Sequence, residues 1–148
     1  MGILSAVFGT ANEAKVAMNA AEAVTAICLV AIASDGYLSE AENEEMTLLL
    51  SRMELFKGTT EEGFARIGSY LMESLEKHGP IALVKSAKAA LPPQLAPTAF
   101  TFAVDLVFSD GVVSREEQAF IEDLRQILDI PNELALKVVE VMTIKHQG

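Results

Sequence analysis

The chain has 148 residues, 11 of them basic and 21 acidic, a formal charge of −10, and a single cysteine. That length suits one domain able to bury a sizeable core, so neither disulfides nor metal are needed merely to fold. One cysteine excludes an intrachain disulfide, and the acidic balance repels a phosphate backbone and so excludes ordinary nucleic-acid binding, leaving cations and basic protein surfaces as natural partners.

The first residues, Met1-Gly2-Ile3-Leu4-Ser5-Ala6, lack the basic segment of a signal peptide. Ala6 also breaks the myristoylation pattern, which needs Ser or Thr there. Thr10 with Glu13 forms a capping-box pattern that predicts a first helix near 11–34. The mean hydropathy of +0.31 raises the question of a membrane. The apolar stretch from Val16 to Ser34 is broken by Asn19 and Glu22, and that from Ala89 to Val104 by Pro92, Pro93 and Pro97, so neither reads as a span. Cys28, inside the first stretch, reads as a small core residue.

Ser39 with Glu42 opens a helix near 40–54, with Met46, Leu49, Leu50 and Met53 as its apolar stripe. Thr59 with Glu62 opens one near 60–77, and Gly79-Pro80 starts another near 80–90. Pro93 precedes a helix near 94–109. Ser114 with Glu117 opens one near 115–128, striped by Ile121, Leu124 and Leu128, and Pro131 starts the last near 131–145. No strand-type alternation or hairpin turn interrupts this series. The prediction is an all-α, compact single domain over 1–148 with about seven helices.

The chain repeats itself at an offset of 75. Ser34-Asp35-Gly36-Tyr37-Leu38-Ser39 aligns with Ser109-Asp110-Gly111-Val112-Val113-Ser114, and Glu42, Met46, Leu49, Met53 and Leu55 then fall on Glu117, Ile121, Leu124, Leu128 and Ile130. Two related helix–turn–helix units, about 24–56 and 99–131, are expected to pack as a pseudo-symmetric bundle.

In each turn a helix ends at the aspartate, the glycine takes a left-handed conformation, and the serine caps the next helix. Asp35 and Asp110 are placed against the negative end of a helix dipole, so something must compensate them. Two readings stand side by side. Backbone amides compensate them and the acids are caps, or Asp35, Glu42, Asp110 and Glu117 converge on a hard divalent cation such as Ca²⁺ or Mg²⁺. Ten of the 21 acids lie in the windows 35–45 and 110–123, which contain only one base, Arg115. Zinc is disfavoured: the two histidines, His78 and His146, are far apart in sequence, and there is no H-E-x-x-H or C-x-x-C. Asp105, inside an apolar run, needs a partner, and a lysine is expected. No phosphate loop, nucleophile elbow or dinucleotide motif is present, so an enzyme is not expected.

The segments Ala33-Ser34-Asp35-Gly36-Tyr37-Leu38-Ser39-Glu40-Ala41-Glu42 and Phe108-Ser109-Asp110-Gly111-Val112-Val113-Ser114-Arg115-Glu116-Glu117 resemble the signature turn of the TerB-like tellurite-resistance family. The resemblance extends from about residue 12 to 145, including Leu128-Asp129-Ile130-Pro131 before the last helix. It implies a fold of about seven helices in a bacterial cytoplasmic protein, in some members associated with the inner face of the membrane. It also implies a role in tellurite resistance and wider stress responses, with divalent cations bound at the positions of Asp35, Glu42, Asp110 and Glu117; with no catalytic motif in the chain, the expectation is a non-enzymatic module. Ala41 departs from the paired acids of the second copy, where Glu116 stands. The competing expectation is a structural or protein-interaction domain without a metal.

Overall fold

The computed structural model describes residues 15–33 and 37–148; the predicted Thr10–Glu13 cap lies outside them, as does Asp35. The described residues form six α-helices and two short 3₁₀ turns, with no strand among them. In chain order they are α1 (Ala20–Ala33), α2 (Glu40–Ser51), α3 (Glu61–Ala90), α4 (Ala96–Val107), α5 (Arg115–Ile127) and α6 (Asn132–Lys145). Seven helices are expected from the sequence; here segments 60–77 and 80–90 run within the single element α3. Gly79 interrupts it at φ 83°, ψ 166°, and Pro80 follows. That backbone region is open essentially to glycine alone, and proline cannot donate the bond that would carry the helix through.

Helix α1 begins at Ala20 rather than near residue 11, because residues 15–19 are not helical. Its cap is Asn19, whose Oδ1 accepts from the Glu22 amide at 2.8 Å, while Glu22 Oε1 accepts from the Asn19 amide at 2.8 Å. The two residues that interrupt the apolar stretch are thus the helix's own reciprocal cap. The cap of α3 is also displaced from its predicted position. Thr60, not Thr59, accepts from the Gly63 amide at 3.0 Å, and a glycine there has no side chain to reciprocate.

Nine of the 14 residues of α1 are buried, on every side of the helix. A helix apolar all round belongs in the middle of a core, and α1 packs chiefly against α3 and α4. Alanines at 23, 26 and 33 let those neighbours approach, while Ile27, Leu29 and Val30 fill the space between. The one buried hydroxyl of the helix, on Thr25, donates to the Ala21 carbonyl at 2.8 Å. Phe100 of α4, Leu71 and Leu83 of α3, and Leu124 of α5 complete one continuous core. At 14 residues α1 is about 21 Å long, short of the roughly 30 Å of a bilayer core. No helix among the described residues is long and apolar enough to cross a membrane.

The turn after α5 uses a non-glycine residue in the left-handed region, Asp129 at φ 56°. Its neighbour's amide, Ile130, closes back on the Arg125 carbonyl at 2.9 Å, as a helix C-terminus requires. The Asp129 carboxylate pairs with Lys88 of α3, which ties this turn to the central element and directs Pro131 into α6.

Glycines 68 and 79 make a paired test, because neither would bring a new Cβ within 4 Å of any other described residue. Gly68 has ordinary helical geometry, so Gly68→Ala is expected to stabilise the fold by about 0.5–1 kcal/mol. Gly79→Ala forces an L-residue into a forbidden region and is expected to destabilise it by about 1–3 kcal/mol. Urea denaturation of the two variants checks the opposite signs.

Candidate functional site

The repeated motif folds as two reciprocal capping boxes. Ser39 Oγ accepts from the Glu42 amide at 3.1 Å, and Glu42 Oε1 accepts from the Ser39 amide at 3.0 Å. Ser114 Oγ accepts from the Glu117 amide at 3.1 Å, and Glu117 Oε1 accepts from the Ser114 amide at 2.9 Å. Each box fixes its glutamate at the mouth of a helix, half-buried rather than extended into solvent.

Before the second box, Gly111 takes φ 80° and its amide closes on the Phe108 carbonyl at 2.9 Å. Asp110 Oδ1 accepts from the Val112 amide at 3.0 Å. This bond compensates the carboxylate for its position at the negative end of α4. The matching turn of the first copy, with Asp35 and Gly36, lies outside the described residues.

Glu42, Asp110 and Glu117 line one cavity of about 410 Å³, closed on its apolar side by Ile32 of α1 and Leu106 of α4. The fold therefore brings together three of the four acids singled out by the sequence. It adds Glu45, one turn further along α2, which the motif does not include. The lining contains no histidine and no cysteine, and an all-oxygen donor set is the chemistry of a hard cation. Each of the three predicted carboxylates commits one oxygen to a backbone amide. Among the described residues no three acidic, imidazole or thiol groups converge closely enough to hold a metal ion.

Asp105 has the partner that its burial demands, and a second besides. Lys145 Nζ donates to Oδ2 at 2.7 Å, and His146 Nε2 lies 2.6 Å from Oδ1. The carboxylate side chain is only 9% exposed, whereas Lys145 is 51% exposed. The buried acid of α4 thus holds down the last turn of α6. The lysine is as expected, but His146 was legible only as a tail residue, because 41 positions separate it from Asp105.

Cys28 is fully buried, and burial pushes its thiol up to about 12, with the Asp105 charge adding to the effect. A thiol in that state is a poor nucleophile and a poor reductant.

Two measurements follow. Lys145→Ala combined with His146→Ala strands a buried carboxylate, and is expected to cost about 3 kcal/mol or more of unfolding free energy. Asp105→Ala removes the buried charge and leaves half-exposed Lys145 able to reach water and His146 able to be neutral, so about 1–2 kcal/mol is expected; denaturant titration giving the reverse order would refute this pairing. Cys28 is expected not to react with a disulfide reagent at pH 8 in the folded chain, and to react stoichiometrically once guanidinium unfolds it.

The two turns, their capping boxes and the acids that they bring to one cavity can be set against known proteins. A family model, tellurite resistance protein TerB, matches residues 21–137, most of the chain and both turns. No curated protein and no solved structure matches it. The chain belongs to the TerB family of tellurite resistance proteins.

Proposed function

We propose that this chain is a non-enzymatic tellurite-resistance and stress-response module that takes a divalent cation in the cavity between its two acidic turns. The observation that carries this reading is that Glu42 and Glu117, 75 positions apart in the repeat, line one cavity together with Asp110. Glu45 adds a fourth carboxylate to the lining. Carboxylates that line one cavity give it a negative field that favours a cation. Asp35, aligned with Asp110 by the repeat, is the expected further ligand. The two turns then act as halves of one site built from two related helix–turn–helix units. Oxygen ligands at two helix starts suit Ca²⁺ or Mg²⁺ better than Zn²⁺. The cation would bind the turns together and so report its own concentration through the rigidity of this end of the molecule. A buried, protonated Cys28 supports a binding role over reduction of an oxyanion.

A second reading has its own support. Glu42, Asp110 and Glu117 each already bond a backbone amide, which is sufficient reason for their presence in a purely structural or protein-interaction domain.

Calorimetric titration of chelator-stripped protein with Ca²⁺, Mg²⁺, Mn²⁺ and Zn²⁺ separates the two. The cation module predicts saturable binding, strongest for Ca²⁺ or Mg²⁺ and weakened about tenfold or more in Asp110→Asn and Asp35→Asn with helical circular dichroism retained. Absence of binding at millimolar cation would sink it in favour of the capping architecture.

A further inference from the structure

Two helix faces of this molecule border an open groove that neither fills. Asn43, Thr47 and Ser51 recur at helical spacing along α2, and Phe64, Gly68 and Met72 do so along the first arm of α3. Between them lies a groove of about 880 Å³, roughly twice the volume of the acidic cavity. Leu48, 59% exposed, contributes a large apolar side chain to it. Phe64 is held in place by stacking on Phe56, with ring centroids 5.4 Å apart. Three acids, Glu40, Glu44 and Glu61, stand exposed along the groove, and no lysine, arginine or histidine lines it.

Gly68 supplies an independent argument. A glycine inside a helix weakens it, so its presence calls for a reason. Gly63, five residues earlier, has one: a Cβ there would press on the Thr59 side chain at 3.1 Å. Gly68 has none among the described residues, because its backbone is helical and nothing in them lies within 4 Å of where a Cβ would be. The space that it leaves opens into the groove, beside the equally small Ala65 and Ser69. Small residues in a helix face let another backbone come close.

We propose that this groove is the docking site for a basic amphipathic helix of a partner protein. The apolar residues would take the partner's i, i+3, i+4 anchors, as helix-in-groove recognition requires. The three glutamates would meet lysines or arginines along the edges of that helix and set its orientation. The 12 residues of α2 span about 18 Å, which matches roughly three turns of partner helix. The site is separate from the acidic cavity: α2 turns Glu42 and Glu45 to the cavity, and Glu40 and Glu44 to the groove.

The test uses the full chain, ¹⁵N-labelled, and a synthetic helical peptide of about 14 residues with leucines on one face and lysines on the other. The expected result is saturable shifts of amides in 40–51 and 61–72, with affinity falling as NaCl rises from about 50 to about 500 mM. The same peptide with glutamates for lysines should not bind. Gly68→Leu should keep the fold, because its Cβ clears the described residues and the groove beyond is open, and should weaken binding about tenfold or more. Glu44→Lys combined with Glu61→Lys should weaken it comparably. Shifts elsewhere, equal binding of the acidic peptide, or undiminished binding to Gly68→Leu would overturn the proposal. So would displaced resonances of residues 1–14 in peptide-free Gly68→Leu, which would make the occupant this chain's own N-terminal segment. A dimer in sedimentation that Gly68→Leu dissociates would instead make it a second copy.

Discussion

The molecule depends on one helix with no solvent face. Because α1 is apolar on all sides, it must be enclosed, and enclosing it fixes where α3 and α4 lie. The alanines of α1 set how near those helices approach, and its larger aliphatic residues fill what is left. Polar obligations within this core are few and locally met. The Thr25 hydroxyl returns to its own helix. The buried carboxylate of α4, Asp105, faces the end of α6, where a lysine and a histidine reach it. Burying a charge without such partners would cost several kcal/mol, so α6 is held by an electrostatic requirement as well as by Ala135 and Met142.

Placing α1 and α4 side by side has a direct consequence for chemistry. Each leads into a copy of the same sequence motif, and the cavity draws its lining from both helices and from both capping-box glutamates. The caps and the cavity are linked: the box that starts α2 or α5 also restrains its glutamate, leaving a half-buried carboxylate at a defined place. Economy of this kind lets the same residues start a helix and line a cavity. Helix α2, short and only partly buried, presents acids on both of its flanks, and its position between cavity and groove follows from Met46 and Leu50 being its only buried anchors.

The pattern of caps was legible in the sequence where it was reciprocal and local. Ser39 with Glu42 and Ser114 with Glu117 need only residues three apart, and both form as read. The cap of α1 was read as an interruption, because Asn19 and Glu22 stand in an apolar run; they are the same reciprocal motif with an amide in place of a hydroxyl. Thr59 and Thr60 offered two adjacent hydroxyls, and local pattern could not choose between them. Leu55 was aligned with the buried Ile130, yet it is exposed and Phe56 is buried instead. The 3₁₀ turn at Glu54–Phe56 rotates the chain out of the register that the second copy keeps.

What the sequence alone determined is therefore what short-range spacing carries: the helical class, the breaks at Gly79-Pro80 and Pro131, the twin capping boxes, the burial of Cys28 and the need of Asp105 for a cation. What only the tertiary structure decided is which distant residues share a place. It put His146 beside Asp105 and Glu45 beside Glu42 and Asp110, and it left the faces of α2 and α3 bordering a groove with Gly68 in its wall. The physical reason is that helix periodicity fixes the direction of a side chain relative to its own axis, whereas the packing of α3 and α4 around the enclosed α1 fixes where that axis stands.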